Sequence, residues 1–345
     1  MGGPLGTYEP PTTPFNRRPA EHTEIHEWGP DESRRDIDNS YKRYVDKTEI
    51  TELQGKTIDK RREAIVKILK KNHAIKESHL IGSFTRGTMV GPLKRKSDTD
   101  VMIVLDADKH RNWVEQKNGA KNCLQSIKRE IENDPRFANT EVKIDRNVVA
   151  VKYKDSTIEI VPAFNYRDVS GAENPSDNPY SNEPRDGYAI PDTHSNSWVG
   201  TNPRKYKRML KARDNANNGK VVRLTKIMKK WREENNVPVG SYHMEIMVYN
   251  YFEEKSRSSK RVSASDSEMV NDFVDSLPQR IKGKTREPVY KESVDKYLTP
   301  KQRSEVLRKA VIARKQIKDS KRLEEKGDTE SAKEKLKDTF GEKFN

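Results

Sequence analysis

Residues 79–108 read HLIGSFTRGTMVGPLKRKSDTDVMIVLDAD, and the reading of this stretch decides the fold. The apolar pair Leu80-Ile81 runs into Gly82-Ser83, and a helix-like segment, FTRGTMV, follows. A basic KRKS segment then leads to Asp98-Thr99-Asp100 and straight into VMIVL. That apolar run predicts a buried strand closing on acidic turn residues. A strand that begins at Asp98 puts residues two apart on one face, so Asp98 and Asp100 present neighbouring carboxylates. Like charges that close repel, and Mg²⁺ relieves the repulsion. A Gly-Ser pair entering a helix lets backbone N–H groups and a hydroxyl approach phosphate oxygens. Taken singly, each feature has a plainer reading: Gly-Ser is common in turns, and Asp-x-Asp at a strand edge is often only solvated.

A third acid stands downstream in EVKIDRNVVAVKYKDSTIEIVPAF, residues 141–164. This segment reads as strand, strand, turn and strand, with the turn at Lys154-Asp155-Ser156. Glu159 lies between Ile158 and Ile160 in the last strand. It is either the solvated face of an edge strand or a third metal ligand. Three carboxylates holding two Mg²⁺ ions about 3.5–4 Å apart activate a hydroxyl and stabilise a leaving pyrophosphate. Phosphoryl transfer asks little more of a protein than positioning and charge neutralisation.

Outward from this centre, residues 1 to 38 hold prolines, glycines and mixed charge without a period, and read as a tail. Tyr41, Tyr44, Val45, Ile50, Leu53, Ile65, Ile68 and Leu69 then recur at mostly helical spacing, predicting one long amphipathic helix over 40–72, interrupted near Gly55. NWVEQKNGAKNCLQSIKREIEND has helical spacing at Trp113, Cys123, Ile127 and Ile131. Residues 165–203, rich in Asn, Asp, Ser, Gly and Pro, read as a long loop or junction, and loops of that length are commonly functional. Helices dominate afterwards, clearest over 219–235, 241–255 and 300–338. The layout is an α/β half followed by an α half: a tail at 1–39, a core with the long helix at 40–200, and a helical part at 201–345.

The chain has 345 residues, and roughly 150 per domain suggests two domains. Charged residues make up 35% and hydrophobic ones 32%, yet the apolar runs argue against full disorder. No apolar stretch approaches the roughly 20 residues that cross a bilayer, which excludes an integral helical membrane protein. The first residues lack an apolar signal core and place Gly6 where myristoylation needs Ser or Thr, so the expected location is cytoplasmic. Cys123 is the single cysteine, which excludes an internal disulfide framework and a multi-cysteine zinc site. The seven histidines show no metal-ligand spacing, and His243 reads as packed or surface. The net charge of +14 fits either a solvated surface or a polyanionic partner.

Gly-Ser, an Asp-x-Asp opening a strand, and an acid in a later strand ending in Val-Pro-Ala together resemble the polymerase-β-like nucleotidyltransferases. VRLTKIMKKWREEN followed by GSYHMEIMVYNYF resembles the helical half of cyclic GMP-AMP synthase, 2′-5′ oligoadenylate synthetase and their bacterial relatives, the CD-NTases of anti-phage CBASS systems. GYAIPD…SNSWVGTNP and the closing AKEKLKDTFGEKFN also resemble bacterial members, so the likeness runs from about residue 41 to the end. It implies an α+β fold: a polymerase-β-like core with a mixed twisted sheet, a C-terminal helical domain like that of oligoadenylate synthetase, and a spine helix joining them. It implies a cyclic di- or trinucleotide synthase that uses NTPs, ATP among them, with two Mg²⁺ ions (or Mn²⁺), a polyanionic or protein activator, and an effector that senses the product.

Residue by residue, Gly82 and Ser83 match the phosphate-gripping turn, and Asp98 and Asp100 the first two metal ligands. Glu159 matches the third, where most relatives have Asp. Lys229 matches a lysine on donor phosphates, with Lys226 one turn earlier as an alternative. Ser241 matches a phosphate-contacting serine, and Tyr242 a ring that stacks on a base, although Tyr242 also suits a core. No zinc-ribbon insertion like that of the animal DNA sensor is present. Two rival readings share the core chemistry or the fold: an RNA-extending enzyme of CCA-adding or poly(A) type, which the positive charge would suit, and a binding protein with a silent site.

Overall fold

The computed structural model describes residues 32–95, 97–173 and 187–344. The chain order is α1 (Glu32–Asp46), α2 (Glu52–Leu69), β1 (Ile75–Leu80), α3 (Gly82–Arg86), β2 (Asp98–Leu105), α4 (Arg111–Glu115), α5 (Gly119–Glu132), β3 (Glu141–Asp145), β4 (Val148–Lys152) and β5 (Thr157–Asn165). It continues with β6 (Tyr188–Asp192), β7 (Ser197–Thr201), α6 (Pro203–Asn215), α7 (Lys220–Glu234), α8 (Ser241–Arg257), α9 (Asp266–Lys282), α10 (Pro300–Glu325) and α11 (Thr329–Phe340). The architecture is the expected mixed α+β one.

The seven strands form one mixed sheet in the order β1-β2-β5-β4-β3, with β6 and β7 continuing from the end of β5. β2 and β5 run parallel, and the other neighbours antiparallel. Pro162, which has no N–H to donate, sits where β5 exchanges β4 for β6 as its neighbour. The alternation of β2 and β5 divides the sheet into two faces. Val101, Ile103, Leu105, Ile158 and Ile160 face a core with Ile65 and Ile68 of α2 and Leu124 and Ile127 of α5. Met102, Val104, Val161 and Ala163 form a small apolar cluster on the opposite face, with Tyr188 of β6.

The helical half has its own core, built from α7 to α11 and, unexpectedly, α1. Ile37, Tyr41, Tyr44 and Val45 are buried there at helical spacing, while Ile58, Ile65, Ile68 and Leu69 of α2 belong to the sheet. The expected single helix is therefore two. The break falls before α2, at Thr51, whose side chain accepts from the Gln54 amide while the Gln54 side chain accepts from the Thr51 N–H. This capping box outcompetes Gly55, which lies inside α2 with open space around it. α1 also starts at Glu32, within the stretch read as tail; residues 1–31 of that tail lie outside the described residues, as does Asn345.

The 165–203 loop contains the β6–β7 hairpin, with Tyr188 opposite Thr201 and Ile190 opposite Val199; its 174–186 portion lies outside the described residues. The Asn and Pro content hid two short strands. Likewise the helical stretch near Trp113 splits into α4 and α5, because a Cβ at Gly119 would sit 1.8 Å from the Trp113 carbonyl oxygen. The 300–338 helix is divided at Gly327, which adopts a left-handed φ of 78°.

Phe340 and Phe344, from the closing Phe-Gly-x-x-Phe, are fully buried against α1. The Tyr41 and Phe344 rings lie 4.9 Å apart, and the Tyr44 hydroxyl donates to the Phe340 carbonyl at 2.7 Å. Phe344→Ala would empty a site lined by three other rings. The expected loss is about 3–5 kcal/mol of stability, read from the urea midpoint, far more than for an exposed Leu53→Ala.

Candidate active site

Asp98, Asp100 and Glu159 meet on one face of the sheet. The parallel register sets Asp100 beside Glu159 and Asp98 beside Thr157. Asp98 is exposed, and the other two acids are half-buried. Asp100 and Glu159 stand side by side across the two strands, so the charge of each acts on the other. Burial, followed by the charges of Asp100 and Asp98, pushes Glu159 up to about 8. The protein packed around Asp98, followed by the Asp100 charge, pushes it up to about 6. Burial also raises Asp100, against the pull of the Arg86 guanidinium.

This is the chemistry of a donor set short of positive charge, and it fits hard divalent cations with oxygen ligands. Among the described residues, no group of three or more His, Cys, Asp or Glu side chains is arranged so that it could hold a metal ion as it stands. The three acids are a row along the sheet face.

Gly82 packs directly on this row. Its φ is +71°, and a Cβ there would lie 1.8 Å from Asp100 Oδ2. Both the backbone conformation and the carboxylate thus require glycine. Ser83 follows in α3, whose last turn is closed by the left-handed Gly87. The carboxylates, the Gly82-Ser83 turn, α7 and α8 together line a cleft of about 580 Å³, within the range of small-molecule pockets. A second hollow of about 640 Å³ shares Asp98 and Glu159 and is bordered by Lys94, Arg95, Lys143 and Lys152.

The helical-side residues separate into two groups. Ser241, the first residue of α8, and Tyr242 line the cleft, and Tyr242 is 42% exposed rather than a core ring. Lys229 also lines the cleft, but its ammonium is buried and donates to Glu245 Oε2 at 2.7 Å and the Thr88 carbonyl at 3.0 Å. Lys226 is not among the lining residues; its ammonium pairs with Glu49 in the α1–α2 connection. His243 is a packed histidine, its ring between Tyr297 and Thr285, and burial pushes it down to about 4.

Sequence reasoning missed Arg86, Thr88 and Glu245. Glu245 had a signal, since it interrupts the apolar Met244-Ile246-Met247 run as Glu159 interrupts its strand. Arg86 had none beyond its place four residues after Gly82.

Two outcomes follow from this geometry. Gly82→Ala would displace Asp100 by about an ångström, so any catalysis that uses this row should fall by about a hundredfold or more while circular dichroism stays that of a folded protein. Between pH 4.5 and 8 the folded state holds a proton on Glu159 that the unfolded chain releases. Stability without divalent cation is therefore present below the unfolded value and declines as pH rises toward 8, with Asp98 adding to the decline between 3.8 and about 6. A thermal melt series with chelator checks this, and added Mg²⁺ should flatten the slope.

Comparison with known proteins agrees with the fold. Residues 36–214, more than half of the chain, match the Second Messenger Oligonucleotide or Dinucleotide Synthetase domain, SMODS. A probable cyclic nucleotide synthase of Bacillus cereus (strain VD146) is 27% identical over 216 residues, covering 55% of this chain and 60% of that protein. The chain thus matches about three-fifths of the length of that curated relative. Among solved structures, CdnC of E. coli MS115-1 with ATP superposes with a TM-score of 0.64 at 15% identity, covering 89% of this chain and 98% of that one. The same CdnC has been solved in complex with HORMA-deltaN. Vibrio cholerae DncV, a cyclic AMP-GMP synthase, superposes with a TM-score of 0.57 at 13% identity, covering 91% of this chain and 87% of that one. By its domain match and its architecture, the chain belongs to the SMODS family of CD-NTase proteins.

Proposed function

We propose that this protein is an Mg²⁺-dependent nucleotidyltransferase that joins NTPs into a cyclic di- or trinucleotide second messenger. The observation that carries the reading is the row of Asp98, Asp100 and Glu159 facing a cleft whose other wall is helical, with the Gly82-Ser83 turn against Asp100. Asp98, Asp100 and Glu159 would hold two divalent cations. Those ions, when bound, activate the acceptor hydroxyl and neutralise the leaving pyrophosphate. Ser83, Lys229 and Ser241 hold the donor triphosphate in this reading, and Tyr242 offers its exposed ring to a base. Glu159, or Asp100 beside it, would accept or orient the acceptor hydroxyl at its carboxylate. Lys226 drops to a structural role because Glu49 engages it.

The linear product then turns over in the same cleft and is attacked a second time, closing the ring. We assign the product to anti-phage signalling through an effector, in the cytoplasm. No helix of the described residues is long and apolar enough to cross a membrane. The net charge of +14 suits an acidic or polyanionic activator, and CdnC, solved with HORMA-deltaN, is a relative that engages a protein partner.

The test is incubation with Mg²⁺ and radiolabelled ATP, GTP, CTP and UTP without nucleic acid, followed by phosphatase. A small phosphatase-resistant product is expected, absent with Asp98→Ala/Asp100→Ala, and omitting one NTP at a time names its bases. Extension of added RNA in place of that product would move the assignment to a template-independent RNA nucleotidyltransferase. Silence in both assays together with failure of the unaltered protein to bind Mg²⁺-ATP would leave a binding protein with a silent site.

A further inference from the structure

Glu245 is fully buried in α8, one helical turn beyond Ser241. Its two oxygens accept from three donors on two segments: Arg86 Nε at 2.6 Å and the Thr88 hydroxyl at 2.7 Å from the end of α3 and the residues after it, and Lys229 Nζ at 2.7 Å from α7. Arg86 ends the α3 turn that begins at Gly82. Its guanidinium lies over the Tyr206 and Tyr242 rings, at 5.1 and 5.7 Å from their centroids. Lys229 comes from α7 of the helical half. One carboxylate thus ties the phosphate turn on the sheet side to two helices on the other. Around Glu245 itself two basic side chains share one anion, a local surplus of positive charge in a lining that is otherwise acidic. Such a buried pair is costly to desolvate and is weak as pure stabilisation, so its place beside Ser83 and Ser241 calls for another account.

We propose that Glu245 is a positioning residue for the donor triphosphate, holding Arg86 and Lys229 at one fixed spacing across the cleft so that their surplus charge meets the phosphates. The inference rests on the nucleotide reading above and adds to it a residue that touches no nucleotide. Charge-assisted bonds fix the two cations in direction as well as distance, which is the pre-organisation that anion recognition needs. Arg86 also pulls on the Asp100 charge, so the same spacing links the phosphate end of the cleft to the carboxylate row.

The experiment compares Mg²⁺-bound nonhydrolysable ATP with AMP by calorimetry on the full chain and on Glu245→Gln. The unaltered protein should prefer the triphosphate. Glu245→Gln should lose about tenfold or more of that preference, with AMP affinity within about twofold. A purely structural role would weaken both ligands together, or lower the melting temperature alone. A kept preference in Glu245→Gln overturns this proposal but leaves the nucleotide reading intact. No preference in the unaltered protein overturns both. Should Glu245→Gln not fold, Thr88→Val removes one bond to Glu245 and leaves every charge in place. It should cost about threefold of the ATP-over-AMP preference, and an unchanged preference in it overturns the proposal.

Discussion

In the parallel pairing of β2 and β5, Asp100 lies beside Glu159, and Asp98 stands two residues earlier on the same face. Like charges side by side in a sheet oppose folding. The pairing survives here because the opposite face of both strands is a dense apolar core, with Val101, Ile103, Ile158 and Ile160 fully buried against α2 and α5. The core thus stabilises the strands that force the carboxylates together. Burial and, after it, that repulsion raise Glu159 and Asp98, and glycine at 82 lets Asp100 pack closely.

The opposite electrostatic arrangement stands in the same cleft wall. Glu245 is more deeply buried than any of the three acids, yet Lys229 and Arg86 hold its carboxyl well below the usual range despite burial. Two acid environments pushed in opposite directions separate two tasks. The row on the sheet is left wanting positive charge, whereas Glu245 is satisfied by donors from two segments. Lys229, though it lines the cleft, is already engaged by that acid and by the Thr88 carbonyl.

Much of this was legible because its signals are local. The acid-flanked VMIVL run and the alternation around Val149 and Val151 are periodic, and β2, β4 and β5 emerge where that periodicity puts them. The spacing of Asp98 and Asp100 predicts a common face, which the β2–β5 pairing extends to Glu159. One local signal was overlooked: the Thr51-x-x-Gln54 capping box behind a more conspicuous Gly55. The other failures were non-local, for β6 forms by pairing with β5 and β7 by pairing with β6 rather than by composition. The assignment of α1 to the helical core depends on Phe340 and Phe344, some three hundred residues away in the chain. Arg86 and Glu245 are separated by 159 positions, and no spacing rule reaches that far.

Glutamate at position 159 departs from the aspartate usual among the resembling proteins, and the register shows how the sheet accommodates it. The β4 residue opposite Glu159 is Ala150, the smallest side chain with a Cβ and itself buried. Ala150 presents only a methyl group to the face that carries the acids. Glu159 has one methylene more than aspartate, so its carboxyl stands farther from β5 than an aspartate's would. Burial first, and the Asp100 and Asp98 charges next, push that carboxyl up. A small residue on β4 and a long acid on β5 thus stand opposite each other in the row that faces the cleft.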